Sequence, residues 1–105
     1  MYIVSNRVPV TPEFEHMFEE RFRQRAGQVE KQVGFIDMQI LKPDSPDTPY
    51  VVLTRWQDKD AFNQWVGSED FRAAHANPMP KEAFQGKGGM EAFEVIISTE
   101  ATPST

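Results

Sequence analysis

Cysteine is absent from the 105 residues, which removes disulfides, thiolate nucleophiles and cysteine-based zinc or iron–sulfur sites from consideration. The chain also lacks a secretory h-region and any run of ~18 apolar residues, so it reads as cytoplasmic and soluble, with no membrane partner. Positive charge is the scarcer sign. Eleven Lys and Arg face 16 Asp and Glu, a net charge of -5, which argues against a nucleic-acid partner held by phosphate attraction. No internal repeat, low-complexity tract, Ser-His-Asp set or closely spaced carboxylate pair is legible. The glycines of "GKGG" do not sit between a strand and a helix as a phosphate loop requires, so they are read as turn formers. What is present suffices for one globular domain: the chain is 39% hydrophobic and has no linker. That domain is placed at residues 1–97, with a polar, flexible tail at 98–105.

The pattern then alternates between the two regular periods. "YIVSNRVPV" (2–10) reads as a strand, and 11–34 as one long helix with Thr11 as N-cap, Pro12 at its first position and Gly34 as its stop. "FIDMQILK" and "YVVLTRW" are β-rich runs separated by the proline-bearing "PDSPDTP", and together they look like a hairpin. Asp58 and Ser68 cap two short helices, the second stopped by Asn77-Pro78. "PMPKEAFQGKGG" reads as a mobile loop, and "MEAFEVIIS" supplies a last strand. The order β, α, β, β, α(α), β is the split βαβ pattern of an α+β, ferredoxin-like fold, with helices over one face of a four-stranded antiparallel sheet. Phe35 and Leu41 alternate with Ile36, Met38 and Ile40, and Val52 alternates with Val51 and Leu53. Such strands are apolar on both sides, so the uncovered face calls for a second copy of the chain, a homodimer pairing sheet against sheet.

Four residues stand out against these faces. Asn6 interrupts the apolar row of Tyr2, Val4, Val8 and Val10; an unpartnered buried amide costs roughly 1–3 kcal/mol, so it is either satisfied locally or kept for a ligand. Arg25 emerges from the helical stripe of Phe14, Phe18, Phe22 and Val29, where a guanidinium needs an anion or snorkels to the rim. His75 follows Phe71 by four residues at a helix end, ordinarily the place of a core or capping histidine. Trp65, beside Ala61 and Phe62, is ordinarily plain core. Taken together, an amide, a cation, an imidazole and a large aromatic between sheet and helices describe a pocket with converging polar groups whose occupant the spacing leaves open. His16 and Glu20 have the i, i+4 spacing of a metal pair but lie on a charged, solvated face.

"SNRV", "ERFRQRAG" and "VLTRWQDKDAFNQWVGSEDFRAAH" resemble the IsdG-type heme-degrading monooxygenases of the antibiotic-biosynthesis-monooxygenase superfamily, over roughly residues 2 to 97. The resemblance places that family's Asn, Trp and His on Asn6, Trp65 and His75. It implies a dimeric ferredoxin-like α+β barrel with one heme per subunit between helices and sheet, and His75 as proximal iron ligand. Asn6 would donate to oxygen bound at the iron, and Trp65 would press on a ruffled porphyrin. Phe22 and Arg25 would stand beside the distal pocket, Arg25 near polar contacts or propionate charge. Heme is then both cofactor and substrate: with O2 and electrons from an external reductase or small reductant, the ring opens to a bilin and iron is released. Loop 78–89 carries no such correspondence, and Lys81, Lys87 and Arg72 read as solvated surface. Two other readings share the fold: a cofactor-free monooxygenase of aromatic or quinol substrates, and a heme carrier without turnover.

Overall fold

The computed structural model describes residues 1–25 and 27–103. Ala26, in the stretch expected to be helical, and Ser104 and Thr105, in the expected tail, lie outside the described residues. Four strands, β1 (Tyr2–Val8), β2 (Phe35–Leu41), β3 (Tyr50–Trp56) and β4 (Gly89–Glu94), form one antiparallel sheet in the order β2-β3-β1-β4. Among the described residues three α-helices, α1 (Glu15–Arg23), α2 (Lys59–Val66) and α3 (Glu69–Ala74), complete the split βαβ pattern. The fold is the expected α+β, ferredoxin-like one.

Local chemistry accounts for most element ends. Asp58 accepts from the Ala61 N–H at 2.9 Å and Ser68 Oγ from the Phe71 N–H at 3.1 Å, each satisfying a free donor of a first helical turn. Gly34 has φ +82°, and a Cβ there would lie 2.5 Å from the Ala61 Cβ, so β2 enters against α2 only because this residue has no side chain.

Three expectations need correction. The helix expected over 11–34 contracts to nine residues, preceded by a 3₁₀ turn at Pro12–Phe14 and followed by another at Val29–Lys31. Its apolar anchors stop at Phe22, and Gly27 adds about 1 kcal/mol against continuation before Val29. Thr11 caps no helix with its side chain; its hydroxyl donates to the Glu82 carbonyl at 2.9 Å. That contact belongs to the second correction. The loop around 78–89 is tied to the exit of β1 by an isolated bridge between Val10 and Phe84 and by Thr11 N–H to Ala83 O at 2.7 Å, with Ala83 fully buried. Third, a bulge between Phe35 and Asp37 breaks the simple alternation of β2. Two residues oppose one, so Phe35 joins Met38 and Ile40 on the helix-facing side, leaving Asp37, Gln39 and Leu41 on the other.

The helix-facing side carries two separate cores. The first gathers Val4, Val29, Trp56, Ala61 and Trp65, with Phe35, Met38, Phe71 and Ala74 at its margin. The second gathers Val10, Phe18 and Tyr50, with Val8, Phe22, Ile40, Val52 and Met79 around them. Trp56 and Tyr50 are the largest fully buried side chains, one in each; truncating a buried aromatic of this size costs about 3–5 kcal/mol, against roughly 5–15 kcal/mol holding a domain folded. α2 and α3 sit on the first core and α1 on the second. The seam between them positions the site. The opposite face presents Leu41 and Phe93, both exposed, and the ion pairs Arg55–Asp37 and Arg7–Glu91.

Candidate functional site

Asn6 lies where the two cores part. On β1 it sits between Val4 of the first core and Val8 of the second, with Val52 and Met90 as its cross-strand neighbours. Its side chain is exposed, which corrects the premise of a buried amide: in the free protein water satisfies it, and the 1–3 kcal/mol penalty does not arise. A ligand filling the seam would take over that role.

Arg25 spans the same seam, two residues past the end of α1. Its guanidinium carbon stands 4.8 Å from the centre of the Phe22 ring, and Nη1 reaches the Met38 Sδ at 3.9 Å, so it touches one core with each side. Burial pushes its pKa down and the charge of Glu30 opposes that shift. The cation rests on a ring face and a thioether with the charge of Glu30 nearby, placing positive charge at the mouth of the seam. Beside Phe22 a recess of about 340 Å³ opens, lined also by Glu19, Arg23, Ile40, Lys42 and Tyr50.

The opposing wall is an aromatic file. Trp65, only 6% exposed, stacks on Trp56 with ring centres 6.5 Å apart; Phe71 meets Trp65 edge-on at 5.4 Å, and His75 lies over Phe71 at 4.1 Å. His75 is exposed and is the C-cap of α3. Its Nδ1 is 2.8 Å from the Phe71 carbonyl oxygen. A carbonyl only accepts, so in the neutral ring this bond calls for the proton on Nδ1, which leaves the lone pair on Nε2. Among the described residues no three His, Asp or Glu converge on a point, so His75 is not part of a metal cage.

The two walls meet beyond His75. Arg21 of α1 donates to the Asn77 carbonyl, and Met79 packs into the second core. His16 is exposed and Glu20 pairs with Arg23 at 2.6 Å, the solvated face expected of them. Arg72, Lys81 and Lys87 are exposed as well. A larger recess of about 670 Å³ lies away from this chemistry, between the 43–49 connection and Gln85–Lys87. It holds Arg7 and Lys87 against Glu15 and Asp47 but no imidazole, so the seam is the better candidate despite the smaller hollow beside it.

Sequence reasoning placed Phe71 on the face of His75 but missed that it holds the imidazole; the i, i+4 spacing in "FRAAH" was the available signal. Its spacing marks Ser68 only as a cap, although its hydroxyl also donates to the Trp65 carbonyl at 2.7 Å. Met38 and Met90, flanking the seam, gave no signal beyond apolarity.

Comparison with known proteins identifies the family. The antibiotic biosynthesis monooxygenase family matches residues 1–77. A mycobilin-producing heme oxygenase of Mycobacterium tuberculosis is 34% identical over 87 residues, 83% of this chain and 81% of that one. A heme-degrading monooxygenase of Bacillus thuringiensis is 35% identical over 79 residues, 73% of each chain. Among solved structures, the heme degrader MhuD of Mycobacterium tuberculosis, with two hemes bound in its active site, superposes with a TM-score of 0.78 at 29% identity, covering 95% of this chain and 100% of that one. The chain belongs to the antibiotic biosynthesis monooxygenase family, among its heme-degrading monooxygenases.

Proposed function

We propose that this chain binds heme in the seam between its two cores and opens the macrocycle oxidatively, consuming O2 and electrons from an external reductase or small reductant. The observation that carries the reading is the His75 imidazole, pinned through Nδ1 to the Phe71 carbonyl so that Nε2 is the exposed lone pair. An iron ligand needs a neutral ring with its other nitrogen held in this way. When bound, the substrate's own iron supplies the oxygen chemistry. The chain's part is to bind, orient and shield.

His75 fixes the iron from α3. Asn6, on the sheet floor, offers an N–H donor where oxygen enters, and burial by the ligand strengthens that bond. Trp65 anchors the aromatic wall through Trp56 and Phe71, and Phe22 stands on α1 beside Arg25. Arg25 supplies positive charge for a propionate, a pairing favoured because its guanidinium is already partly desolvated. A homodimer pairs the open sheet faces, where Leu41 and Phe93 stand exposed; the extended segment after β4, with Ile96 and Ile97 at 86% and 81% exposure, reaches onto the partner. No helix among the described residues is long and apolar enough to cross a membrane, and cytoplasmic reductants suit the electron demand.

Hemin titration separates the alternatives. Appearance of a Soret band, then bleaching under air with ascorbate or a reductase, with iron release and a bilin spectrum, supports degradation. A stable band identifies a carrier. No band identifies a cofactor-free monooxygenase on the same fold.

A further inference from the structure

His75 is the C-cap of a six-residue helix and its side chain is exposed, so burial does not lock its torsions. Such a side chain ordinarily samples several rotamers and loses affinity by having to order on binding. Here two contacts from one residue hold it. The Phe71 carbonyl receives both the His75 backbone N–H at 3.1 Å and Nδ1 at 2.8 Å, using its two lone pairs. The Phe71 ring lies against the imidazole, centres 4.1 Å apart and planes 33° apart. Phe71 is itself fixed: its N–H donates to Ser68 Oγ, the Ser68 hydroxyl donates to the Trp65 carbonyl, and its ring abuts Trp65 edge-on at 83°. A residue serving only to fill the core would bury both ring faces in apolar neighbours; this one spends a face on an exposed polar ring.

We infer that Phe71 is a positioning residue for His75: its carbonyl accepts from Nδ1, and its ring holds the imidazole in the plane that keeps this bond made, so that together they favour the Nδ1–H tautomer and present Nε2 to the iron already oriented. The inference rests on the reading of His75 as the ligand. It also gives Ser68 a role, as the link holding Trp65 and Phe71, and through Phe71 the ligand, in one register.

The test begins with the 15N-labelled protein without hemin, above the titration range of the imidazole. An unconstrained neutral histidine favours the Nε2–H tautomer; His75 is expected to show Nδ1–H, with the exposed His16 as internal reference. Phe71→Leu keeps apolar bulk and removes the stacked ring, and should move His75 toward the unconstrained tautomer ratio and weaken hemin binding roughly 2- to 12-fold, the worth of one ring pair. Phe71→Tyr restores the ring and should restore both readouts. An Nε2–H signal in the wild-type protein, or wild-type tautomer and affinity in Phe71→Leu, overturns the inference. Should Phe71→Leu not fold, the wild-type tautomer alone decides. His75→Ala keeps the two claims apart: if it binds hemin as tightly as wild type, the ligand reading falls, whereas the tautomer measurement still tests what Phe71 does to the ring.

Discussion

Replacing Tyr50 by Phe removes one oxygen from the best-buried point of the second core and tests how α1, one wall of the seam, is anchored. Tyr50 is 2% exposed, and its hydroxyl lies 2.5 Å from Glu19 Oε2 and 3.1 Å from Glu15 Oε1, both on α1. One proton cannot serve both carboxylates, so the shorter contact takes it. A hydrogen bond to a charged group is worth about 1.5–3 kcal/mol, but Glu19 is partly solvated and keeps Lys42 at 3.1 Å and Arg23 at 3.3 Å. The expected loss is therefore about 1–2 kcal/mol, or roughly 4–12 °C in Tm for a domain of this size. The pH dependence carries a second signature. Burial, then Glu19 and Glu15, push the Tyr50 pKa up; the unfolded chain gives up its phenolic proton first, so stability is full below about pH 10 and declines as pH rises beyond it. Tyr50 and Lys42 hold Glu19 below the usual carboxylate range, so a smaller contribution, present above the unfolded carboxylate value, is lost as pH falls through the native one. Urea melts of both proteins across pH should show Tyr50→Phe less stable at neutrality, with a flatter alkaline limb. Equal stability at pH 7 and an unchanged alkaline slope would refute the reasoning, and with it the view that this clamp sets α1.

Asn6→Ala should bind hemin within about 2-fold of wild type yet open the ring roughly 100-fold more slowly, the usual cost of a lost transition-state donor; normal turnover followed by absorbance would remove its distal role. Gly34→Ala forces a Cβ to within 2.5 Å of the Ala61 Cβ at φ +82°, and thermal melts should register about 2–4 kcal/mol of destabilisation; a loss under about 1 kcal/mol would mean β2 and α2 part easily. In sedimentation, the wild-type chain should run as a dimer and the double variant Phe93→Asp with Ile97→Asp as a monomer. A wild-type monomer would leave the open sheet face without its proposed cover.

What the sequence revealed followed the range of the interactions involved. Asp58 and Ser68 announced α2 and α3 because a cap is a contact between residues three apart, written locally. The ferredoxin-like order followed from alternating periods and well-placed prolines. The bulge after Phe35 left no mark, since one extra residue on a strand needs no special letter, and it reversed the face assigned to Phe35. The end of α1 at Arg23 depended on where burial stopped rather than on helix preference. At the site, Asn6, Arg25, Trp65 and His75 were visible as polar or oversized letters on apolar faces. What holds His75 was not, because its partner is a backbone carbonyl, which every residue possesses. Asn6 read as buried because alternation reports which side of a strand a residue is on, not whether that side is covered there.

The central claim is that His75 Nε2 binds the iron. Resonance Raman spectra of the reduced hemin complex, prepared with natural-abundance and 15N-histidine protein, report it directly. An iron–imidazole stretch that shifts with the label and disappears in His75→Ala is the result expected; the same band persisting in His75→Ala, or no label-sensitive band in the wild-type complex, would contradict the account.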